Sequence, residues 1–182
     1  IAIGPYDSTY LYSGSWNGDG FFASEDGGES WLIGAKNAGW FRNLEVYDID
    51  IDPNDPQNIW VADNHYVDVS YDYGFTWKTF YFANEEGRFC YTVKVDPHDV
   101  TGDTVYVGTG GPNGTDELGV LYKTTDGGDT WFKMENTFPL DYQPFNIWDI
   151  DVNPAVPDEI WATSRKAGLS PEGRIFMTMD GG

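Results

Sequence analysis

Apolar and polar positions alternate with a period of two in four related strings. They read IAIGPYDSTYLYSG from Ile1, IDIDPNDPQNIWVAD from Ile49, VKVDPHDVTGDTVYVG from Val93 and IDVNPAVPDEIWAT from Ile150. Alternation of Ile and Val with polar residues is the signature of a strand with one buried face. Each string breaks at a proline (Pro5, Pro53, Pro97, Pro154) set among turn-forming Asp and Asn, then resumes as a second β-rich strand.

A second string follows each of the first. It is SEDGGESW at 24–31, SYDYGFTW at 70–77, TTDGGDTW at 124–131 and TMDGG at 178–182. The shared pattern is Ser/Thr-x-Asp-x-Gly-x-Ser/Thr-Trp. Its aspartates, Asp26, Asp72, Asp126 and Asp180, are spaced 46, 54 and 54 residues apart. Each string is predicted to be a hairpin turn between the third and fourth strands of a unit. The Asp carboxylate accepts turn amides, and Gly28, Gly74 and Gly128 suit a backbone with φ > 0. Trp31, Trp77 and Trp131 are expected to pack between sheets. In the second unit the strands are predicted near 46–52, 58–62, 66–70 and 76–82. Four-stranded units of about 45–50 residues are propeller blades.

The expected fold is therefore all-β, a β-propeller of four-stranded antiparallel blades. About four blades are present, near 1–38, 46–84, 91–135 and 147–182, the last lacking its outer strand. Such a chain is expected to be a fragment of a larger propeller. Its end faces would be covered by remaining blades or by neighbouring subunits, and alone it would associate.

Composition narrows the function. Aromatics make up 17% of the chain beside 22 Gly and 10 Pro, which favours short strands and tight turns over helical bundles. With 30 acidic and 10 basic residues, the net charge of −20 disfavours nucleic acid and anionic membrane surfaces as partners. No apolar run of 18 residues is present, so no transmembrane helix is expected. Cys90 is the single cysteine, read as a small buried residue. His65 and His98 form no metal motif.

The repeated turn resembles that of the Asp-box (BNR) superfamily, which includes sialidases, xyloglucanase-type glycoside hydrolases, sortilin-type receptors and photosystem assembly factors. The resemblance covers nearly the whole chain. It implies an exported propeller with the box turns on its underside and ligands bound on the opposite face. It also implies a structural role for the box aspartates, because the box is shared by members with different activities.

Two loop sets would then build the ligand face: 13–21, 63–66, 109–119 and 163–173 within blades, and 34–45, 80–90 and 134–146 between blades. Trp16, Trp40, Arg42, Arg88 and Tyr142 in these loops are the candidate contacts to a glycan or peptide, with Phe89 and Arg165 nearby. The leading expectation is a secreted, non-catalytic propeller that binds carbohydrate or protein. The alternative is part of a glycoside hydrolase, xyloglucanase-type before sialidase. Asp19, Asp63, Glu85, Glu86, Asp116, Glu117 and Asp141 are loop carboxylates, but no spacing selects a catalytic pair. No cofactor is demanded. Asp48, Asp50, Asp149 and Asp151, which line one face of two inner strands, are read as solvated channel lining or as a weak Ca²⁺ site. Asn113 opens an N-x-T sequon.

Overall fold

The computed structural model describes residues 1–15, 20–33, 45–81, 89–111, 119–134, 144–166 and 173–181. Every regular element among them is a strand. The first unit is the sheet β1 (Ala2–Ile3), β2 (Leu11–Gly14), β3 (Phe21–Ser24) and β4 (Leu32–Ile33), paired in that order. The second is β5 (Val46–Ile51), β6 (Ile59–Asp63), β7 (Tyr66–Ser70) and β8 (Lys78–Tyr81). The third runs β9 (Phe89–Val95), β10 (Thr104–Gly110), β11 (Leu121–Thr125) and β12 (Phe132–Lys133), and the fourth β13 (Pro144–Val152), β14 (Ile160–Lys166) and β15 (Gly173–Thr178). One bridge, Gly110 to Asn146, joins the third sheet to the fourth. All pairings are antiparallel, as short connections between consecutive strands require.

The core lies between sheets. Tyr12 and Phe21 of the first sheet pack with Val46, Ile51, Ile59 and Val61 of the second. Trp60, Val67 and Val69 on the other face of the second sheet pack with Val93, Val95 and Val107 of the third. Tyr106 and Leu121 then meet Ile147, Ile150 and Val152 of the fourth. Alternation along each strand thus serves two junctions at once, because both faces of an inner sheet are covered.

The box turns share one hydrogen-bond scheme. In the second, the Ser70 hydroxyl donates to Asp72 Oδ1 at 2.8 Å and accepts the Gly74 N–H at 2.7 Å. Asp72 Oδ1 accepts the Thr76 N–H at 2.7 Å, and Oδ2 accepts the Thr76 hydroxyl at 2.6 Å. Ser24, Asp26, Gly28 and Ser30 repeat this scheme, as do Thr124, Asp126, Gly128 and Thr130. Donors aimed at the carboxylate favour its charged form. The Ser30 side chain and amide, with Ser24, hold Asp26 down to about 2, and Thr130 and Thr124 hold Asp126 below the usual carboxylate range. In the fourth turn the Thr178 hydroxyl donates to Asp180 Oδ1.

Ser70 is fully buried and serves three partners in its turn. Ser70→Ala leaves the Gly74 amide without its acceptor. It is expected to cost roughly 1–3 kcal/mol of stability, read from denaturant unfolding. Unchanged stability would mean the turn is held by its backbone alone.

The box tryptophans divide. Trp77 meets Phe21 of the first sheet edge-on at 5.1 Å, and Trp131 meets Trp60 and Phe80 of the second at 6.4 and 5.9 Å. Each packs on the sheet before its own. Trp31 does not fit the expectation that all three lie between sheets. It is 38% exposed, with no sheet among the described residues packed on it as the first packs on Trp77.

A second link repeats along the other turns. The residue after the turn proline reaches the next sheet. Tyr6 donates its hydroxyl to Pro53 O at 2.7 Å, Asn54 its amide to Pro97 O at 3.1 Å, and His98 Nε2 lies 2.8 Å from Asn153 O.

Candidate functional site

The sheets have two ends. The proline turns and the box turns share one, tied by backbone bonds such as Tyr73 N–H to Gln57 O and Gly127 N–H to Asp103 O. The β6–β7 turn and the connections between sheets lie at the other. At that second end β5, β9 and β13 each carry a β-bulge, and each bulge falls on an aromatic residue. Pairing jumps from Val46 to Asp48 around Tyr47, from Cys90 to Thr92 around Tyr91, and from Ile147 to Asp149 around Trp148. A bulge turns its extra residue out of the strand's alternation and re-aims the side chain.

The three rings meet across three sheets. Tyr47 contacts Tyr91 at 5.0 Å, nearly perpendicular, and Tyr91 contacts Trp148 at 4.7 Å, tilted. Phe89 joins beside Tyr47 at 6.2 Å, with His65 edge-on to it at 4.8 Å. Tyr91 is buried at the centre and donates its hydroxyl to Gly111 O at 3.0 Å. Burial pushes its phenol up to about 12, so it remains a neutral donor. The Tyr47 hydroxyl donates to Glu45 at 2.9 Å. Trp148, 44% exposed, is the face of this arc that meets solvent. Sequence reasoning placed Phe89 in the loop set but missed Tyr47, Tyr91 and Trp148.

Two of the inner-strand aspartates take hydrogen bonds from the next sheet. Asp48 Oδ2 accepts the Val93 N–H at 3.0 Å and the Thr92 hydroxyl at 2.9 Å, and Asp50 Oδ2 accepts the Val95 N–H at 2.8 Å. These amides face away from β10, so the carboxylates of one sheet satisfy the free edge of the next. Lys94 stands 3.5 Å from Asp50 and 3.7 Å from Asp151. Burial opposes its charge, but Asp50 and Asp151 win and raise its pKa. Backbone amides thus hold Asp48 and Asp50, with the Lys94 ammonium beside Asp50, while Asp149 and Asp151, read with them as channel lining or a weak Ca²⁺ site, are exposed. Among the described residues no three His, Cys, Asp or Glu side chains converge as metal ligands would.

Asp63 departs from its sequence reading. It was grouped with loop carboxylates open to a substrate, yet it is fully buried, and Asp68 beside it nearly so. Asp63 Oδ1 accepts the Tyr66 N–H at 3.2 Å, while Oδ2 faces no donor. Asp68 Oδ1 accepts the Thr79 hydroxyl. Burial, then the Asp68 charge, raises the pKa of Asp63, and burial raises that of Asp68. Two carboxyls this close in a dry site hold one proton between them. Cys90 is free and fully buried, its thiol pushed well up by burial and by these two acids.

Trp16, Trp40, Arg42, Arg88 and Tyr142 lie outside the described residues, as do Asp19, Glu85, Glu86, Asp116, Glu117, Asp141 and Asn113. The Arg165 side chain is likewise outside them. Trp40 and Tyr142 stand a few residues before β5 and β13 in sequence.

No protein-family model matches the sequence, and no curated protein matches it. Solved structures do. The whole chain superposes on the GH74 enzyme of Niastella koreensis with a TM-score of 0.72 at 19% identity, over 28% of that protein. It superposes as fully on the GH74 xyloglucanase of Xanthomonas campestris, with a TM-score of 0.72 at 20% identity, again over 28%. The fold is that of a β-propeller. A YCF48 structure with a bound D1 peptide matches 92% of this chain and 52% of its own, with a TM-score of 0.58 at 12% identity. At these identities the likeness is one of fold, and the chain spans about a quarter of the length of the GH74 enzymes it matches.

Proposed function

We propose that the chain is four blades of an exported Asp-box propeller that binds an extended carbohydrate at the aromatic arc without cleaving it. The bulged aromatic that recurs in three successive inner strands, ending in the exposed ring of Trp148, carries this reading. A sugar ring presents an apolar face that stacks on such a platform, and hydroxyls beside it donate hydrogen bonds to groups such as Glu45. The box turns support it from the other end, since their aspartates are consumed in holding the turns together. Trp40 and Tyr142, which lie outside the described residues, are proposed as further ligand contacts from their place in sequence alone.

Calorimetric titration with β-glucan oligosaccharides tests the proposal. Trp148→Ala is expected to weaken binding by about 1–2 kcal/mol, roughly 5- to 30-fold in Kd, with the fold intact. Wild-type affinity in that variant would place the ligand elsewhere. The likeness to GH74 enzymes favours a second reading, a portion of a glycoside hydrolase. New reducing ends released from xyloglucan by the chain would establish it in place of the first.

A further inference from the structure

Two register positions set the second sheet apart. Asp63 pairs with Val46, the residue before the bulge at Tyr47. At the matching places Thr109 pairs with Cys90 in the third sheet and Ser164 with Ile147 in the fourth. Asp68 pairs with Val61, at the position where the other sheets carry Phe22, Tyr122 and Phe176. A hydroxyl and an aromatic ring thus give way to two carboxyls in the second sheet. The Thr109 hydroxyl completes its strand pair by donating to Val120 O at 2.9 Å. Asp63 accepts the Tyr66 N–H through Oδ1 but leaves Oδ2 buried with no donor.

Among the described residues no cation stands against either acid. Thr79 of β8 donates to Asp68, the amides of Tyr66 and His65 reach Asp63, and β9 brings the Cys90 thiol. At this end of β5 stand Glu45 and Tyr47, bonded to each other. The described acids of the first sheet, Asp7, Glu25, Asp26 and Glu29, belong to its turns at the opposite end. The weak closure over the pair is the Asn64–His65 turn, because Asn64 Oδ1 is also buried without a donor. The Cys90 N–H ties this turn to β9 through Asn64 O at 3.0 Å, and the His65 ring meets Phe89 at 4.8 Å. Lifting the turn breaks that tie and returns both donor-less oxygens to water.

We propose that the Asp63–Asp68 pair is a proton-operated latch: the shared proton keeps the Asn64–His65 turn shut on the start of β9, and its release lifts the turn and uncovers Cys90. With the proton, one acid donates to the other. Without it two charges face each other in a site with no cation, and water admitted through the turn is the nearest relief. Opening passes one proton to solvent, so the open fraction grows about tenfold per unit of pH until the closed pair ionises in place. Phe89 follows the turn, which frees the aromatic arc on the side of Tyr47.

Alkylation of Cys90 by iodoacetamide tests the latch. The rate is read by mass spectrometry of the Cys90 peptide and divided by that of glutathione at the same pH. The thiol is fully buried, so only the open form reacts. The relative rate should rise at least about 100-fold between about pH 5 and about pH 9, while the amides of β10 and β11 keep their protection from hydrogen exchange. In Asp63→Asn a side-chain amide replaces the shared proton, so the relative rate should no longer depend on pH. Asp68→Asn should give the same result if that variant misfolds. A flat relative rate in the wild type, or one that rises as steeply in either folded variant, would overturn the proposal. So would loss of β10 protection in step with Cys90 labelling, which would mean that the chain opens as a whole.

Discussion

Gly128→Ala is expected to destabilise the chain by about 2–4 kcal/mol. Two costs add. The residue sits at φ +86°, where a Cβ crowds the backbone and costs about 1–2 kcal/mol. The added carbon would also stand 2.4 Å from Cζ and 2.6 Å from Cε2 of Phe80 in the neighbouring sheet. That ring cannot retreat freely. It is stacked on Trp60 at 6.1 Å and meets Trp131 at 5.9 Å, inside the junction between the second and third sheets. Overpacking a site held on both sides costs about 1–3 kcal/mol.

The first box turn supplies the control. Gly27 has φ +73° and nothing within 4 Å of an added Cβ, so Gly27→Ala carries the backbone cost alone. Tyr73 shows how mild that cost is, since it occupies the same box position at φ +60° and stacks on Tyr10 at 5.2 Å. Equal losses in Gly27→Ala and Gly128→Ala, measured by urea unfolding, would show that the approach of the third box to Phe80 is not tight.

The repeat and its turns were legible because they rest on local chemistry. A hydroxyl, a carboxylate and a glycine at fixed spacing close one turn wherever they occur, and in the second unit β5 and β7 fall at the positions the alternation predicts. What lay between sheets was not legible. Trp31 reads like Trp77 and Trp131 in sequence, and only the structure shows its exposure. Asp48 and Asp50 alternate as channel-lining residues would. Their use depends on a neighbouring strand presenting free amides, which no single strand's pattern reveals.

The arc was hidden by its bulges. Strict alternation puts Tyr47 on the face of Ile49 and Ile51, and Tyr91 on that of Val93 and Val95, so each reads as core. One signal could have found them: Tyr47, Tyr91 and Trp148 each stand six residues before a turn proline, Pro53, Pro97 and Pro154. An aromatic at one offset in three repeats, followed by a polar residue in each, marks a shared local device. Asp63 misled for the opposite reason. It sits at a turn, where acids are usually solvated, but the turn here is only Asn64 and His65, and the His65–Phe89 contact helps close it over.

Asp63→Asn is expected to invert the usual effect of removing an acid, by stabilising the chain at alkaline pH. Burial and the Asp68 charge raise the pKa of Asp63 in the folded state, and burial raises that of Asp68. In the unfolded chain both return to about 3.9. Above that value the unfolded state has released protons that the folded pair still holds, so stability falls as pH rises until the pair has ionised in place. The box aspartates act with the opposite sign. Donors from Ser30 and Thr130 lower Asp26 and Asp126, so their contribution is present above the unfolded pKa and lost as pH falls through the folded one. The wild type should therefore be most stable in mild acid. In Asp63→Asn the side-chain amide donates to Asp68 in place of the shared proton, and its oxygen still accepts the Tyr66 N–H. The variant should melt close to the wild type near about pH 5 and gain roughly 2 kcal/mol over it near about pH 9. Thermal melts across that range decide the matter, because a buried pair that shares a proton makes the two curves diverge, whereas parallel curves would mean that Asp63 is ionised throughout and its charge is compensated by groups other than Asp68.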